Sequence, residues 1–143
     1  MKNLIYILIL CFVFASCNTS RTISNTNEEI NTKEQDTVRI ANDAIEYEII
    51  IIDSGFNSWL YSTAKPEGYY SQEFLEARNI IYVTEWNSRV NNANPRIANL
   101  FELRIDYDRN IDYGYDVNYK LYNYFIYFQI KNNIRLSSFT PRI

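Results

Sequence analysis

The sequence predicts an α+β fold: a small two- to three-stranded sheet packed against two long helices and one short helix. Three observations carry that expectation. Glu46 to Asp53 holds four consecutive isoleucines, β-branched residues that favour strands. Residues 72–91 and 116–131 place aromatic and aliphatic side chains three and four apart, the period of a helix with one buried face. Apolar residues make up 47% of the 143-residue chain and aromatic residues 16%, ample for one domain's core.

The chain begins with Lys2, a nearly unbroken apolar run from Leu4 to Phe14, and small residues before Cys17. Charge, apolar run and small residues in that order read as a secretory signal. The apolar run is well short of the ~20 residues that span a bilayer. Phe14-Ala15-Ser16-Cys17 resembles the lipobox of bacterial lipoproteins, with Phe14 where leucine is usual. Cys11 is a poor rival, because bulky Leu10 precedes it. The resemblance implies a signal peptide over 1–16 and acyl chains on Cys17, which would hold the protein in a membrane. Asn18 is not the Asp of the inner-membrane retention signal, and no acidic run follows Cys17 directly. By the same resemblance, the expected place is the outer membrane, facing the periplasm.

From Asn18 to about Val38 the chain is polar and lacks aromatic residues, too few apolar groups to offset the entropy of ordering. Residues 17–44 are expected to be the lipidated cysteine and a disordered tether, and 45–143 the single globular domain. Glu46 to Asp53 follows as a strand buried on both faces. Asp53-Ser54-Gly55 stops it, and a short helix over Phe56 to Ser62 turns Trp59 and Leu60 to the core. Lys65-Pro66-Glu67-Gly68 reads as a type I turn. Ser71 caps a helix from Gln72 to Asn91, with Phe74, Ala77, Ile81, Tyr82 and Trp86 as its stripe. Asn91 to Pro95 ends it.

Leu100 to Tyr107 alternates, with Phe101, Leu103, Ile105 and Tyr107 on one face, and predicts a half-exposed strand. Asp108 to Tyr115 is a polar loop. Asp116 then caps a second long helix running to about Lys131, with Val117, Leu121, Tyr124, Phe125 and Phe128 inward. Its Tyr, Phe and Ile content leaves a strand over Tyr122 to Ile130 as the alternative. Ile134 to Ile143 is expected as a short strand or an extended tail. Gly55-Phe56 with Trp59-Leu60, Tyr82 to Asn87, and Asn118 to Phe125 together resemble an uncharacterised family of small bacterial lipoproteins. That resemblance implies no activity.

The absent residues narrow the chemistry. There is no histidine, and both cysteines lie in the first 17 residues. Ser-His-Asp and Cys-His sites, and the ordinary zinc sites, are therefore excluded from the domain. With 14 basic against 17 acidic side chains, a basic footprint for nucleic acid is missing. Ser62-Thr63-Ala64-Lys65 matches the Ser-x-x-Lys motif of penicillin-binding proteins, but its partner motifs are missing and Pro66 breaks the helix it needs.

Asp106, Asp108, Asn110 and Asp112 alternate as oxygen ligands do in the first part of a calcium loop. Ile111 and Val117 stand where that loop needs Gly and Glu, and a polar turn explains the same residues. The loop is expected to act as a solvated turn, with no cofactor assigned. Tyr113, Tyr115 and Tyr119 gather beside it and are candidates for a sugar or protein face. Arg78, Glu85 and Arg89 are read as an ion network orienting their helix.

Two functions fit. One is a non-catalytic interaction or structural lipoprotein of the envelope, bound to the membrane through Cys17, with an envelope protein as candidate partner. The other is a small carboxylate-dependent hydrolase of envelope glycans, which needs two carboxylates roughly 5–10 Å apart. Asp53 and Asp106 supply that pair only if their strands are parallel. A calcium-supported binding module is the remaining alternative.

Overall fold

The computed structural model describes residues 37–92 and 94–143, which belong to one compact unit. The leader, Cys17 and most of the expected tether lie outside the described residues. The architecture is α+β. Strands β1 (Thr37–Asn42) and β2 (Tyr47–Ile52) form an antiparallel hairpin. Helix α1 (Phe56–Ser62) follows, then the long helices α2 (Gln72–Asn91) and α3 (Gly114–Asn132). The two long helices pack on each other, and β1 and α1 also pack against α3.

The domain starts earlier than the expected boundary at 45. Val38 and Ile40 are buried on the inner face of β1, while Arg39 between them points out to Asp43 and Glu48. Thr37 pairs with Ile52 and Asn42 with Tyr47. The tether reading therefore fails from Thr37 onward, because two alternating apolar residues were enough once a partner strand lay alongside. The hairpin turns through Asp43–Ile45, with the Asn42 side chain accepting from the Ala44 N–H and Glu46 left-handed at φ 52°.

β2 is not buried on both faces. Tyr47, Ile49 and Ile51 are half-buried, whereas Ile50 is 57% and Ile52 84% exposed. Among the described residues the two-stranded sheet is packed on one face only, so alternation replaces full burial.

Helices α1 and α2 have the expected ends, and Ser71 Oγ accepts from the Phe74 N–H at 3.3 Å. The buried stripe of α2 is rotated from the expected one: Leu75, Asn79, Tyr82, Val83 and Trp86 face inward and Ile81 faces solvent. The turn before α2 lies one residue later than expected. Tyr69 N–H bonds Pro66 O, with Gly68 at φ 81°, the type II geometry that favours glycine third.

Residues 101–107 form no strand. Asn87 clamps the Ile105 backbone at both ends, with distances of 2.8 and 2.9 Å, and Trp86 Nε1 donates to Leu103 O at 2.9 Å. Side chains of α2 thus take the backbone groups that a ladder would have used. Phe101 and Ile105 are buried but Leu103 is 75% exposed, which breaks the expected alternation. Residues 134–143 likewise form neither strand nor helix, although Leu136 is buried and its N–H reaches Gln129 Oε1 at 2.8 Å.

α3 is helical throughout, so the strand alternative for residues 122–130 fails. It begins at Gly114, φ 78°, and Asp116 lies in its first turn rather than at its cap. Every residue from Leu121 to Gln129 is buried. Polar members of that run fold back on the helix: Asn123 bonds Tyr119 O and Gln129 bonds Phe125 O, both at 2.9 Å. Buried amides satisfied in this way allow a helix to be enclosed on all sides.

Candidate functional site

An open cleft of about 850 Å³ lies between β2 and the strap of residues 99–106. Eight consecutive residues, 46–53, line one side. A groove over a strand's face meets alternate residues only, so this one runs along the edge of β2. Trp86, Tyr124 and Phe128 line it from the aromatic core. Burial drives the Tyr124 hydroxyl far above the ordinary tyrosine range, so it stays neutral there.

Asp53 closes one end. Its carboxylate accepts from Lys131 Nζ at 2.9 and 3.0 Å, from Tyr127 Oη at 2.8 Å and from the Gly55 N–H at 3.0 Å. Burial pushes this carboxyl up, but those donors outweigh burial and hold it below the usual range. Lys131 is raised in turn: burial lowers it, and the hydrogen bond to Asp53 more than compensates. Asp106 lies at the other end, where Tyr47 Oη donates to its backbone oxygen at 2.6 Å. Tyr47 and Asp53 bracket the six residues of β2, a span of about 20 Å. The two carboxylates thus sit at opposite ends of the strand, well beyond the spacing a glycosidase pair needs.

The loop after Asp106 turns its oxygens onto its own chain. Asp108 Oδ1 accepts from the backbone N–H and the side-chain amide of Asn110, both at 2.8 Å. Asp112 Oδ1 accepts from the Gly114 N–H at 2.9 Å and from Gln72 Nε2 at 2.8 Å. Of the four candidate ligands, Asp108 and Asn110 meet each other, while Asp112 bonds to Gln72 and Gly114. Among the described residues no three of His, Cys, Asp and Glu gather closely enough to hold a metal ion.

The three candidate tyrosines do not form an exposed face. Tyr113 is buried between the rings of Tyr47 and Tyr107, with centroids 4.3 and 4.6 Å away, and its hydroxyl accepts from the Asp108 N–H. Tyr119 is buried and donates to Lys65 O at 2.7 Å. Tyr115 is half-buried, accepting from the Gly68 N–H and donating to Tyr70 O. Each hydroxyl ties a loop to the core, the usual fate of a buried tyrosine tip.

Residues 4–141 match the DUF6146 family, described as a family of unknown function. The chain belongs to that family. No curated protein and no solved structure matches it. The remaining candidate groups of this DUF6146 chain are structural in their contacts. Ser62, the last residue of α1, donates to Ser58 O, and Lys65 lies beyond the helix end, so the Ser-x-x-Lys geometry is not formed. Glu85 pairs with Arg89 at 2.8 Å, Arg89 also reaches Arg135 O, and Arg78 stacks 3.6 Å from the Phe139 ring centre. In the DUF6146 chain the cleft edge was the element that sequence reading missed. Its signal was available in the alternation of Val38 and Ile40, which makes β2 one strand of a hairpin with its other edge open.

Proposed function

We propose that this protein is a membrane-anchored lipoprotein of the cell envelope, acting as a non-catalytic interaction component. Acyl chains on Cys17 hold it, in the outer membrane and facing the periplasm. The observation that carries the reading is the leader itself: Lys2, the apolar run to Phe14, and Phe14-Ala15-Ser16-Cys17. More than one acyl chain gives stable anchoring where a single myristoyl chain binds only marginally. The interaction role is supported by an open cleft beside exposed isoleucines, on a domain whose tyrosine hydroxyls largely brace loops.

The test is metabolic labelling with palmitate, followed by fractionation. Wild type and Cys11→Ser should carry label and sediment with the outer membrane. Cys17→Ser should carry none and leave the membrane fraction. Retention of label and membrane by Cys17→Ser would end this reading.

A further inference from the structure

We propose that the groove along the open edge of β2 binds an extended peptide strand bearing lysine or arginine. The peptide would add a third strand to the hairpin. This deepens the interaction role argued above and rests on it.

The first observation is the edge. Among the described residues β2 pairs with β1 alone, and no backbone hydrogen bond joins it to the strap. In an antiparallel pair every second residue turns its N–H and C=O away from its partner, so β2 presents a row of unpaired groups into the groove. An open edge carrying four isoleucines templates strand addition, and extended peptides bind proteins in this way. The second observation is shape. The strap lies across the groove from β2, and its own backbone is anchored to Trp86 and Asn87 on α2. It is a wall, and the space between it and β2 falls within the volume range of ligand sites.

The third observation is charge. The groove is lined by five carboxylates and two cations. Lys131 is held by Asp53, and Glu48 is held by Arg39 from β1. Arg104 turns to Asn91 Oδ1 at 3.1 Å. Arg104 keeps its charge there, so Glu46, Glu102 and Asp106 outnumber it and give the rim a net negative field, which selects a cationic occupant.

The same charge argues against two other occupants. Residues 18–36 carry four acidic and two basic side chains, so the protein's own tether would be repelled. A second copy would bring the same net negative rim, Glu46, Glu102 and Asp106 against Arg104, up to this one, which opposes its docking.

The experiment uses the purified full-length chain in non-ionic detergent micelles, at low salt. The probe is a fluorescein-labelled eight-residue peptide of alternating valine and lysine, followed by anisotropy. It should bind, and amide exchange across residues 47–52 should slow when it does. The valine–glutamate peptide, and the valine–lysine peptide methylated on every backbone amide, should each bind at least about tenfold more weakly. Glu102→Lys combined with Asp106→Lys should cost a similar factor, with the melting temperature unchanged as a folding control.

Equal binding by the methylated peptide would show that strand pairing is not used. Unchanged affinity in the charge-reversed protein would remove the acidic rim. Concentration-dependent dimerisation that protects β2, without peptide binding, would make a second copy the occupant. Each of these overturns the proposal. Failure of the palmitate experiment would sink the lipoprotein reading and leave these measurements standing.

Discussion

Helix α3 is enclosed from Leu121 to Gln129, whereas β2, with its four consecutive isoleucines, leaves Ile52 84% exposed. Composition alone points the other way: the helix holds Asn, Gln and four tyrosines over residues 119–129, and the strand holds the purest aliphatic run of the domain. What separates them is the number of layers around each. α3 has α2, α1 and β1 packed against it, and its polar atoms bond within the helix or to neighbouring loops. Among the described residues β2 has one packed face and one open edge. Hydrophobicity sets how much area a segment can bury, and topology decides whether it does.

The largest effect is expected at the enclosed end of the comparison. Phe125 is fully buried, with the Tyr82 ring 5.5 Å and the Trp86 ring 6.0 Å from its centre. Phe125→Ala should destabilise the domain by about 3–5 kcal/mol, because a closed aromatic site cannot collapse around the cavity. Chemical denaturation measures it, and a cost below about 1 kcal/mol would mean that α3 is not the centre of the core.

How much of this was legible depended on local signals. α1 and α2 were, since a cap or a stop marks the start of each and their apolar spacing is helical. The inward face of α2 was misjudged because Asn79 is buried through a partner 39 residues away: it donates to Asn118 O and Oδ1 at 3.0 and 3.1 Å. A buried asparagine pair has no signature in one helix's pattern. The strap looked like a strand because Phe101 and Ile105 are core residues four apart, a separation that fits period two and irregular chain equally. Its fate was decided by Trp86 and Asn87, side chains of another element. The candidate tyrosines and carboxylates were legible as a cluster but not as exposed or convergent. Their hydroxyls and oxygens meet backbone groups that only the folded chain brings near.

An intermediate effect is expected from alkali, which acts on buried and half-buried tyrosines of α3, at the end of the strap and, through Tyr47, of the packed face of β2. Burial, and after it Glu76, pushes the Tyr107 hydroxyl up to about 12. Tyr122 and Tyr124 lie higher, mainly through burial. A group whose folded pKa is raised contributes stability that is fully present below its unfolded value, about 10 for tyrosine, and is lost as pH rises towards the folded one. The melting temperature should therefore hold up to about pH 10 and fall steeply by pH 12. Tyrosinate absorbance should lag behind a free-tyrosine titration and then rise together with unfolding. A smooth titration centred near 10, with the fold intact, would show these rings to be solvated.

The smallest effect is expected at Ile52, the far end of the comparison. Its side chain projects to solvent beside the cleft, so folding removes little of it from water. Threonine keeps the β-branch that suits a strand and removes one apolar group that touches nothing buried. Ile52→Thr should shift stability by no more than about 0.5 kcal/mol in either direction. The same change at Ile40, which is wholly buried on the paired strand, should cost clearly more, since it introduces a hydroxyl where no water reaches. The two variants share chemistry and strand type and differ only in the layer they face. If Ile52→Thr proves as damaging as Ile40→Thr, the outer side of β2 is covered in the folded protein and the contrast between strand and helix is lost. If it is neutral, the isoleucine is kept out of the core, and the aliphatic edge is free for pairing with a further strand.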